Sequence, residues 1–388
     1  MAKINRRSFV KGAAIGAVAA PLATPALAQE RIEMAIVATW GRDFPGLGTG
    51  AQRYAETIQK ISGGRIQVSY YAAGERVGAF DSFDEVASGN AQGYHAADYY
   101  WKGRHPGYGY FTAVPFGLTY TEMNAWIRHG GGQELWDELA AEFGLKAIMA
   151  GSTGTQAGGW FNKEINSADD FKGLKMRIPG LGGDVIGKLG GSPVTVPGGQ
   201  IYENLVSGAI DATEWVGAWN DEIMKFYEAA KFYYTAGMHE PGSMIAAGFN
   251  AKWWADLSDT DKAIIEAAAT AENEMMMSEY NGMSGPAFKR LTTEHGVQIR
   301  SFNDDVWDAM AEGADAVFEE ARAHSDLANR IHESCMAARK EVGGWLGTST
   351  GEYLAQRNRI YDGLNASNKL ATRPIGLVAL FCGELSHD

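Results

Sequence analysis

Residues 200–217, QIYENLVSGAIDATEWVG, join a helical pattern to a strand pattern and decide the fold. The pattern predicts a helix over Gln200–Ser207 and a strand over Ile210–Trp215. Glu214 stands at the end of that apolar strand, where its carboxylate would be buried. A buried carboxylate needs a cation beside it, so this segment also supplies the first candidate for a functional residue.

The same alternation of strands and helices extends to both sides of this segment. Strands are predicted at Ile32–Thr39, Arg65–Ala72, Ala91–His95, Lys146–Ala150 and Pro193–Val196, and helices at Ala51–Ile61, Phe80–Ser88 and Gly182–Leu189. Residues 151–159 are predicted to form a glycine-rich turn. A β-α-β alternation is typical of sheets covered by helices. We therefore expect two α/β lobes, with the chain crossing between them more than once.

The last third of the chain carries helical patterns in place of the alternation. Helices are predicted at Asp256–Glu279, Asp304–Ala323, His324–Lys340 and Gly351–Leu364. This part is expected to brace the lobes or to form a subunit interface. Residues 366–388 form a tail to which the sequence assigns no role.

Composition excludes several classes of protein. Of the 388 residues, 45% are apolar and 21% are charged, which is a globular balance and not that of a disordered chain. The net charge of −13 disfavours nucleic-acid binding, because phosphates attract basic surfaces. Two cysteines cannot form a disulfide scaffold or a four-cysteine zinc site. Cys335 and Cys382 are expected to stay unpaired, although an oxidising compartment would let them pair.

Residues 1–28 have the features of an export signal. The paired Arg6 and Arg7 precede an apolar stretch, Ala13–Ala23, and the small-residue pattern Ala26–Ala28 follows it. The apolar stretch is too short to span a bilayer core of about 30 Å. Paired arginines indicate the Tat route, and the alternative is a Sec signal that happens to contain two arginines.

The side chains with the clearest chemical potential lie between residues 150 and 242. Arg177 ends a strand-like run, where a guanidinium can hold a carboxylate with two parallel hydrogen bonds or form a surface ion pair. Gln156 and Glu240 lie in loops that follow strand-like segments. Together with Glu214 they offer oxygen atoms, which suit Na⁺ or Ca²⁺ better than zinc.

Another motif, Gly46–Ala51, matches the dinucleotide-binding pattern G-x-G-x-x-A. Residues 40–45 separate it from the preceding strand, whereas a dinucleotide-binding turn follows its strand directly. We therefore interpret Gly46–Ala51 as the glycine-rich start of a helix beside a cleft and not as a dinucleotide-binding turn.

Three motifs resemble one family. Phe171–Arg177, Pro193–Pro197 and Leu205–Trp215 resemble the DctP family, the periplasmic solute receptors of TRAP transporters, over residues 30–365 or so. Glu214–Gly217, Trp219–Asp221 and His239–Gly242 are most similar to its 2-oxo acid (TakP-like) branch. The resemblance implies an α/β, periplasmic-binding-protein-like fold with two lobes around a cleft and a helical C-terminal third. The implied organisation is a signal at 1–28, lobe 1 mainly at 29–150, lobe 2 mainly at 151–255, and helical bracing and dimerisation at 256–365.

The resemblance also implies roles for individual residues. Implied substrate contacts are Arg177, which would hold the substrate carboxylate, and Gln156, Tyr99, Tyr100 and Asn220. Implied metal ligands are Gln156, Glu214, the backbone carbonyl of Trp215, and Glu240. The charges of Arg177, the two glutamates and a monocarboxylate sum to −2, which favours Ca²⁺, whereas the family branch implies Na⁺. Na⁺ is preferred and Ca²⁺ stays the alternative.

The implied function is that of a receptor and not of an enzyme. It would capture a small monocarboxylate such as pyruvate in the periplasm, together with one metal ion, and deliver it to membrane permease subunits. A homodimer is expected from the helical C-terminal segment. The alternatives are a receptor for lactate or another 2-hydroxy acid with Ca²⁺, a secreted metal-dependent enzyme acting on 2-oxo acids, and a chemosensory binding subunit.

Overall fold

The computed structural model describes residues 31–361. The predicted export signal, Cys382 and the tail beyond residue 361 lie outside the described residues. The strands are β1 Ile32–Ala38, β2 Ile66–Tyr71, β3 Gly93–Ala96, β4 Leu145–Gly154, β5 Ala157–Phe161, β6 Lys175–Arg177, β7 Ser192–Val194, β8 Ala212–Thr213, β9 Phe232–Ala236, β10 Ser243–Asn250 and β11 Gln298–Arg300. Strands β1 and β2 confirm the strands predicted at Ile32–Thr39 and Arg65–Ala72.

The helices follow the strands or cover the sheets. They are α1 Leu47–Ile61, α2 Ser82–Ala87, α3 Gly107–Tyr110, α4 Tyr120–His129, α5 Gly132–Ala141, α6 Gly180–Lys188, α7 Ile201–Ser207, α8 Ala218–Ile223, α9 Phe226–Ala229, α10 Ala251–Asp256, α11 Asp259–Thr293, α12 Asp304–Arg322, α13 Asp326–Leu346 and α14 Glu352–Ile360. Short 3₁₀ helices occur at Ala79–Asp81, Asp98–Trp101, Ala168–Phe171 and Gly198–Gln200. Within residues 31–361, no helix is both long and apolar enough to cross a membrane.

Two sheets form the centres of two lobes. The first has the order β2-β1-β3-β10-β4, in which β2 and β3 run parallel to β1, whereas β10 runs antiparallel to β3 and β4. The second has the order β11-β9-β5-β8-β6-β7. The prediction of a two-lobed α/β fold with a helical C-terminal portion is confirmed. The predicted lobe ranges stay predictions; β10, which lies in the range 151–255, pairs in the first sheet.

The predicted glycine-rich turn at 151–159 is wrong. Strand β4 continues to Gly154 and β5 starts at Ala157, so that only Thr155 and Gln156 separate them. The glycines serve close packing: a Cβ on Gly159 would lie 2.6 Å from the carbonyl oxygen of Thr213 on the neighbouring strand. Glycine therefore occurs inside these strands because backbone or side chains from distant segments approach closely, which local sequence does not reveal.

Two extended crossings connect the lobes. The chain passes from β4 to β5 through Gln156, and it returns from β9 to β10 through residues 237–242. The crossings are paired by two backbone hydrogen bonds. The backbone N–H of Gln156 donates to the backbone carbonyl of Glu240 at 2.9 Å, and the backbone N–H of Gly237 donates to the backbone carbonyl of Gln156 at 3.2 Å. This pairing brings residues 156 and 240 together at the junction of the lobes.

Helix α11 braces both lobes. Its 35 residues extend well beyond the predicted end at Glu279, and it packs against β4 and α1 of lobe 1 and against α8 of lobe 2. Arg53 on α1 holds the buried Glu272 of α11 in a two-pronged ion pair of 2.7 and 2.8 Å. Farther along the chain, α12 packs on α6 of lobe 2, and α13 packs on α3, α4 and α5 of lobe 1.

The close approach at Gly159 predicts a stability difference. We expect Gly159→Ala to lower the free energy of unfolding by about 2 kcal/mol or more, because it adds a clash to a backbone φ of 117°. Gly173→Ala is the matched control: φ is 73° there, but a Cβ would meet nothing within 4 Å, so only about 1 kcal/mol of strain is expected. Urea unfolding measures both variants, and equal losses would contradict the packing role of Gly159.

Candidate functional site

Arg177 lies at the centre of the junction between the lobes. It ends β6, its side chain is fully buried, and its Nη1 donates to the Glu214 carboxylate and, at 3.3 Å, to the Glu214 carbonyl. Its Nε donates to the carbonyl of Val196 at 3.3 Å. In the described part of the chain, Nη2 has no hydrogen-bond partner. One arm of the guanidinium is therefore held by protein, and the other can donate to an anion.

Glu214 connects the arginine to a histidine that the sequence interpretation gave no role. One carboxylate oxygen accepts from Arg177, and the other lies 3.3 Å from Nε2 of His239. Burial lowers the pKa of His239, but the hydrogen bond and the charge of Glu214 outweigh it, so the pKa is above its ordinary value. The only feature of the sequence that could have indicated a role for His239 is its position next to the predicted metal ligand Glu240.

Glu240 and Gln156 supply buried oxygen atoms that no described residue satisfies. Within residues 31–361, both carboxylate oxygens of Glu240 and the Oε1 of Gln156 are without a hydrogen-bond partner. Burial, with the charge of Glu214 as a second cause, raises the pKa of Glu240, and the charge of His239 opposes the shift without outweighing it. The Gln156 amide donates from Nε2 to the Thr153 hydroxyl at 2.9 Å, which leaves its oxygen available.

These atoms fit a hard cation. Ligand atoms of Glu214, His239 and Glu240 all lie within 4.8 Å of one another. Oxygen ligands sit 2.3–2.6 Å from Ca²⁺, so ligands on opposite sides of such an ion are about 5 Å apart. Because Nε2 of His239 faces Glu214, the donors without a partner are the oxygens of Glu240 and Gln156, which suit Na⁺ or Ca²⁺. The residues present thus fit the predicted metal ion, and the ligand role of the Trp215 carbonyl stays a prediction.

Lobe 1 contributes an aromatic wall to the junction. Tyr99 and Tyr100 belong to the 3₁₀ helix that follows β3, and their ring centres are 4.9 Å apart. Burial is the main reason that the pKa of Tyr100 is raised to about 12, so its phenol stays protonated and able to donate. Beneath them, the buried Asp98 accepts hydrogen bonds of 3.0 Å from Tyr94 and Trp136 and fixes the start of this helix.

Trp40 is a residue of this wall that sequence reasoning missed. Its ring centre lies 6.2 Å from that of Tyr100, and its Nε1 donates to Nδ1 of His95 at 2.9 Å. Burial lowers the pKa of His95 to about 4, so the imidazole is neutral and can accept this bond. The sequence offered only a weak indication of this role. Trp40 follows the carboxyl end of β1, and the carboxyl ends of parallel neighbouring strands lie at the same edge of the sheet.

Lobe 2 contributes the opposite wall. The Trp215 ring lies 5.2 Å from the Arg177 guanidinium carbon and 6.1 Å from the Phe44 ring of lobe 1. Asn220 is buried, but its amide donates to the Pro45 carbonyl at 2.9 Å and accepts from Tyr280 at 2.7 Å. The structure thus places Asn220 in a contact between lobe 2, lobe 1 and α11, with both ends of the amide already partnered.

A narrow cavity separates the two walls. The predicted residues Tyr99, Tyr100, Gln156 and Trp215 line it together with Trp40. Its volume of about 10 Å³ admits about one water molecule, so the lobes are closed on one another. The arrangement can bind an anion and a cation together, shielded from solvent, once the walls separate by a small amount.

Comparison with known proteins identifies relatives of this chain. Residues 39–324 match the family DctP, described as bacterial extracellular solute-binding protein, family 7. A monocarboxylate 2-oxoacid-binding periplasmic protein of Nostoc sp. is 37% identical over 301 residues, which are 77% of this chain and 82% of that protein. The resemblance drawn from the sequence motifs is confirmed.

Two solved structures share the fold at 36% identity. One is a TRAP periplasmic solute-binding protein from Pseudoalteromonas atlantica with bound sodium and pyruvate, with a TM-score of 0.82 over 84% of this chain and 99% of that chain. The other, from Colwellia psychrerythraea with bound calcium and pyruvate, has a TM-score of 0.82 over 84% of this chain and 100% of that chain.

Proposed function

This chain belongs to family 7 of the bacterial extracellular solute-binding proteins, the DctP family, and we propose that it is a TRAP receptor for a small 2-oxo acid such as pyruvate. It binds the acid with one metal ion between its lobes and delivers it to membrane permease subunits. The observation that carries the proposal is the buried guanidinium of Arg177 at the site of the Glu240 and Gln156 oxygens, where Nη2 and these oxygens have no hydrogen-bond partner among residues 31–361.

The charges of the site explain why an ion accompanies the acid. Arg177 and Glu214 neutralise each other, Glu240 adds one negative charge, and a monocarboxylate adds another. Two uncompensated charges in a buried site are costly. A cation held by Glu240, Gln156 and Glu214 offsets this charge when it is bound: Ca²⁺ would balance both negative charges, and Na⁺ would balance one of them. We propose Na⁺, with Ca²⁺ as the alternative, because similar receptors bind pyruvate with either ion.

Closure of the lobes traps the ligand. Lys102 of lobe 1 lies 2.5 Å from Asp184 of α6 in lobe 2. The start of α6 approaches the Tyr99 ring so closely that a Cβ on Gly180 would lie 2.7 Å from it. A ligand that bridges the walls favours this closed form by its differential affinity for it. The closed form is the one that the permease is proposed to recognise.

Export to the periplasm is part of the proposal. The relatives of this chain include a periplasmic binding protein, and the Tat-like signal predicted at residues 1–28 would direct the chain to that compartment. The family consists of solute-binding receptors, which supports a receptor over the alternative of a secreted enzyme; consumption of pyruvate by the protein would support the enzyme. A lactate receptor that uses Ca²⁺ is the alternative within the family.

The anchoring role of Arg177 predicts a loss of binding. We expect Arg177→Lys to weaken pyruvate binding about 10- to 100-fold, because a single ammonium cannot serve Glu214 and a carboxylate with the geometry of a guanidinium. Calorimetry with pyruvate, 2-oxobutyrate and lactate, each with Na⁺ or Ca²⁺, measures it. Arg330→Lys, at an exposed ion pair, is the control and should bind as wild type. Unchanged affinity in Arg177→Lys would contradict the anchor.

The shared site of ion and acid predicts linked binding. We expect Glu240→Gln to weaken Na⁺ or Ca²⁺ binding and, through it, pyruvate binding. The factor of about 5- to 150-fold by which ion and acid strengthen each other, which is reciprocal in the wild type, should shrink in the variant. Its fold should survive, since within the described chain the Glu240 carboxylate has no hydrogen bond to lose. The exposed Glu142→Gln is the control. Pyruvate affinity that is independent of both ions after thorough chelation would refute the metal-bridged site.

A homodimer through the C-terminal helices is also proposed. Helix α14 buries no side chain in the described chain, and Trp345, Tyr353 and Tyr361 are about two-thirds exposed. A nine-residue helix is marginal by itself in water, so a partner surface is expected to stabilise it.

Sedimentation tests the dimer. We expect a dimer at micromolar concentration and a shift toward monomer in Trp345→Glu, because a charge there opposes apolar contact. Val206→Glu is the matched control, since Val206 is also an exposed apolar residue but lies on α7. A monomer in the wild-type protein would contradict the proposal.

A further inference from the structure

The backbone from Glu214 to Val216 is held at both ends, and one carbonyl between them is left without a donor. The N–H of Glu214 donates to the Arg177 carbonyl at 3.2 Å, and the Val216 carbonyl accepts from the N–H of Ala157 at 3.0 Å. Within residues 31–361, the carbonyl of Trp215 accepts no hydrogen bond, although the residue is buried. An unpaired buried carbonyl is costly, so we expect a partner that the described chain does not supply.

Asp221 on α8 is a buried carboxylate whose partners in the described chain are uncharged. One of its oxygens accepts from Nε1 of Trp160 at 3.0 Å, and the other accepts from the N–H of Val216 at 3.3 Å. The Tyr233 hydroxyl also hydrogen-bonds to it. Burying a carboxylate is costly even with such bonds, so we looked for a role of Asp221 beyond packing.

The hydrogen bond between Val216 and Asp221 fixes the direction of the free carbonyl. The Trp215 carbonyl and the Val216 N–H belong to one peptide group, which is trans and planar. In such a group the C=O and N–H bonds point in opposite directions. Because Asp221 holds the N–H, the Trp215 carbonyl points away from Asp221.

The side away from Asp221 is the side of the candidate site. Trp215 and Val216 line the narrow cavity between the walls together with Gln156, whereas Asp221 does not line it. The backbone bond between Ala157 and Val216 also places this segment beside Gln156, the residue that precedes Ala157. The free carbonyl and the free side-chain oxygen of Gln156 therefore belong to neighbouring segments.

We propose that Asp221 is a positioning residue for the metal site: it holds the Val216 N–H so that the Trp215 carbonyl is directed at the ion. This inference rests on the proposed function, which takes an ion to bind at Glu240 and Gln156. A ligand that is oriented in advance loses little freedom when the ion binds, and partners that orient ligands strengthen metal binding for this reason. The same hydrogen bond polarises the peptide group, which makes its carbonyl oxygen a better ligand.

One isotope-labelling scheme observes this peptide group by itself. Trp215–Val216 is the only Trp-Val pair in the sequence, so ¹³C-carbonyl tryptophan with ¹⁵N-valine gives one coupled NMR signal. In the ion-free wild type, the Val216 N–H should exchange slowly with D₂O, because Asp221 already holds it. Adding Ca²⁺ with pyruvate should then shift the Trp215 carbonyl signal. Trp160–Phe161, an equally unique pair in β5, is the control and should not shift.

Either of two results in the wild type would overturn the proposal. Rapid exchange of the Val216 N–H without the ion would show that Asp221 does not hold the peptide group. A Trp215 carbonyl signal that stays in place when the ion and pyruvate bind would show that this oxygen is not a ligand.

Two substitutions separate positioning from stability. Asp221→Ala removes both accepting oxygens and should weaken ion binding about 10- to 100-fold, the usual loss when a ligand-orienting partner is removed. Trp160→Phe is the matched control, because it removes the donor to one Asp221 oxygen and leaves the bond from Val216. It should also lower the urea midpoint of the ion-free protein but keep ion affinity within about twofold of wild type.

Calorimetry with Ca²⁺ or Na⁺ in the presence of pyruvate measures the ion affinity of both variants. Equal losses of ion affinity in Asp221→Ala and Trp160→Phe would show that Asp221 acts only through the stability of the fold. That result would overturn the positioning role.

Asp221→Asn tests the same point if the alanine variant does not fold. It fills the same space, but it has one accepting oxygen for two donors that cannot turn, the Trp160 indole and the Val216 amide. Ion affinity should match wild type if exchange of the Val216 N–H stays slow, and it should fall if exchange becomes fast. The opposite combination in either case would contradict the proposal.

The outcomes separate this inference from the proposed function. If wild-type protein binds no pyruvate with Na⁺ or Ca²⁺, the proposed function fails and this inference fails with it. If pyruvate binds with an ion but Asp221→Ala keeps the ion affinity of wild type, the receptor function stands and the role of Asp221 is wrong.

Discussion

The buried ion pair of Arg177 and Glu214 is the interaction on which the rest of the site depends. Removing two charges from water costs several kcal/mol for each ion, and their attraction offsets this only when the remaining hydrogen-bonding groups are also satisfied. Here they are satisfied in part: His239 and backbone carbonyls serve the pair, but Nη2 of Arg177 has no partner in the described chain. The hydrogen bonding of the guanidinium is therefore incomplete until an anion accepts from Nη2.

The paired crossings explain why this site lies at the junction and not within one lobe. A backbone hydrogen bond from the Gln156 N–H to the Glu240 carbonyl holds the two crossings together, so both residues lie at the junction of the lobes. Arg177 and Glu214 belong to lobe 2, whereas Tyr99, Tyr100 and Trp40 belong to lobe 1. A ligand that contacts both groups couples binding to closure, which is the physical basis of a receptor that signals occupancy by its shape.

Sequence reasoning identified the charged residues for a definite reason. Arg177 and Glu214 end strand patterns, and Gln156 and Glu240 lie in loops after strand-like segments, which made them candidates. Their individual roles were implied by the resemblance to the DctP family. His239 and Trp40 were missed because their roles come from Glu214 and from His95, which are distant in sequence. The glycines at 151–159 misled for the same reason: they are packed closely by segments that are distant in sequence.

The sequence by itself determined the fold class, the family and the chemical type of the site. Periodic patterns and short motifs suffice for these because they depend on residues near one another in the chain. The tertiary structure alone decided which oxygens and which guanidinium arm have no partner within the described part of the chain, and that the Asn220 amide is already hydrogen-bonded at both ends. These properties depend on burial and on contacts between segments far apart in sequence, where folding, and not local pattern, sets which atoms meet.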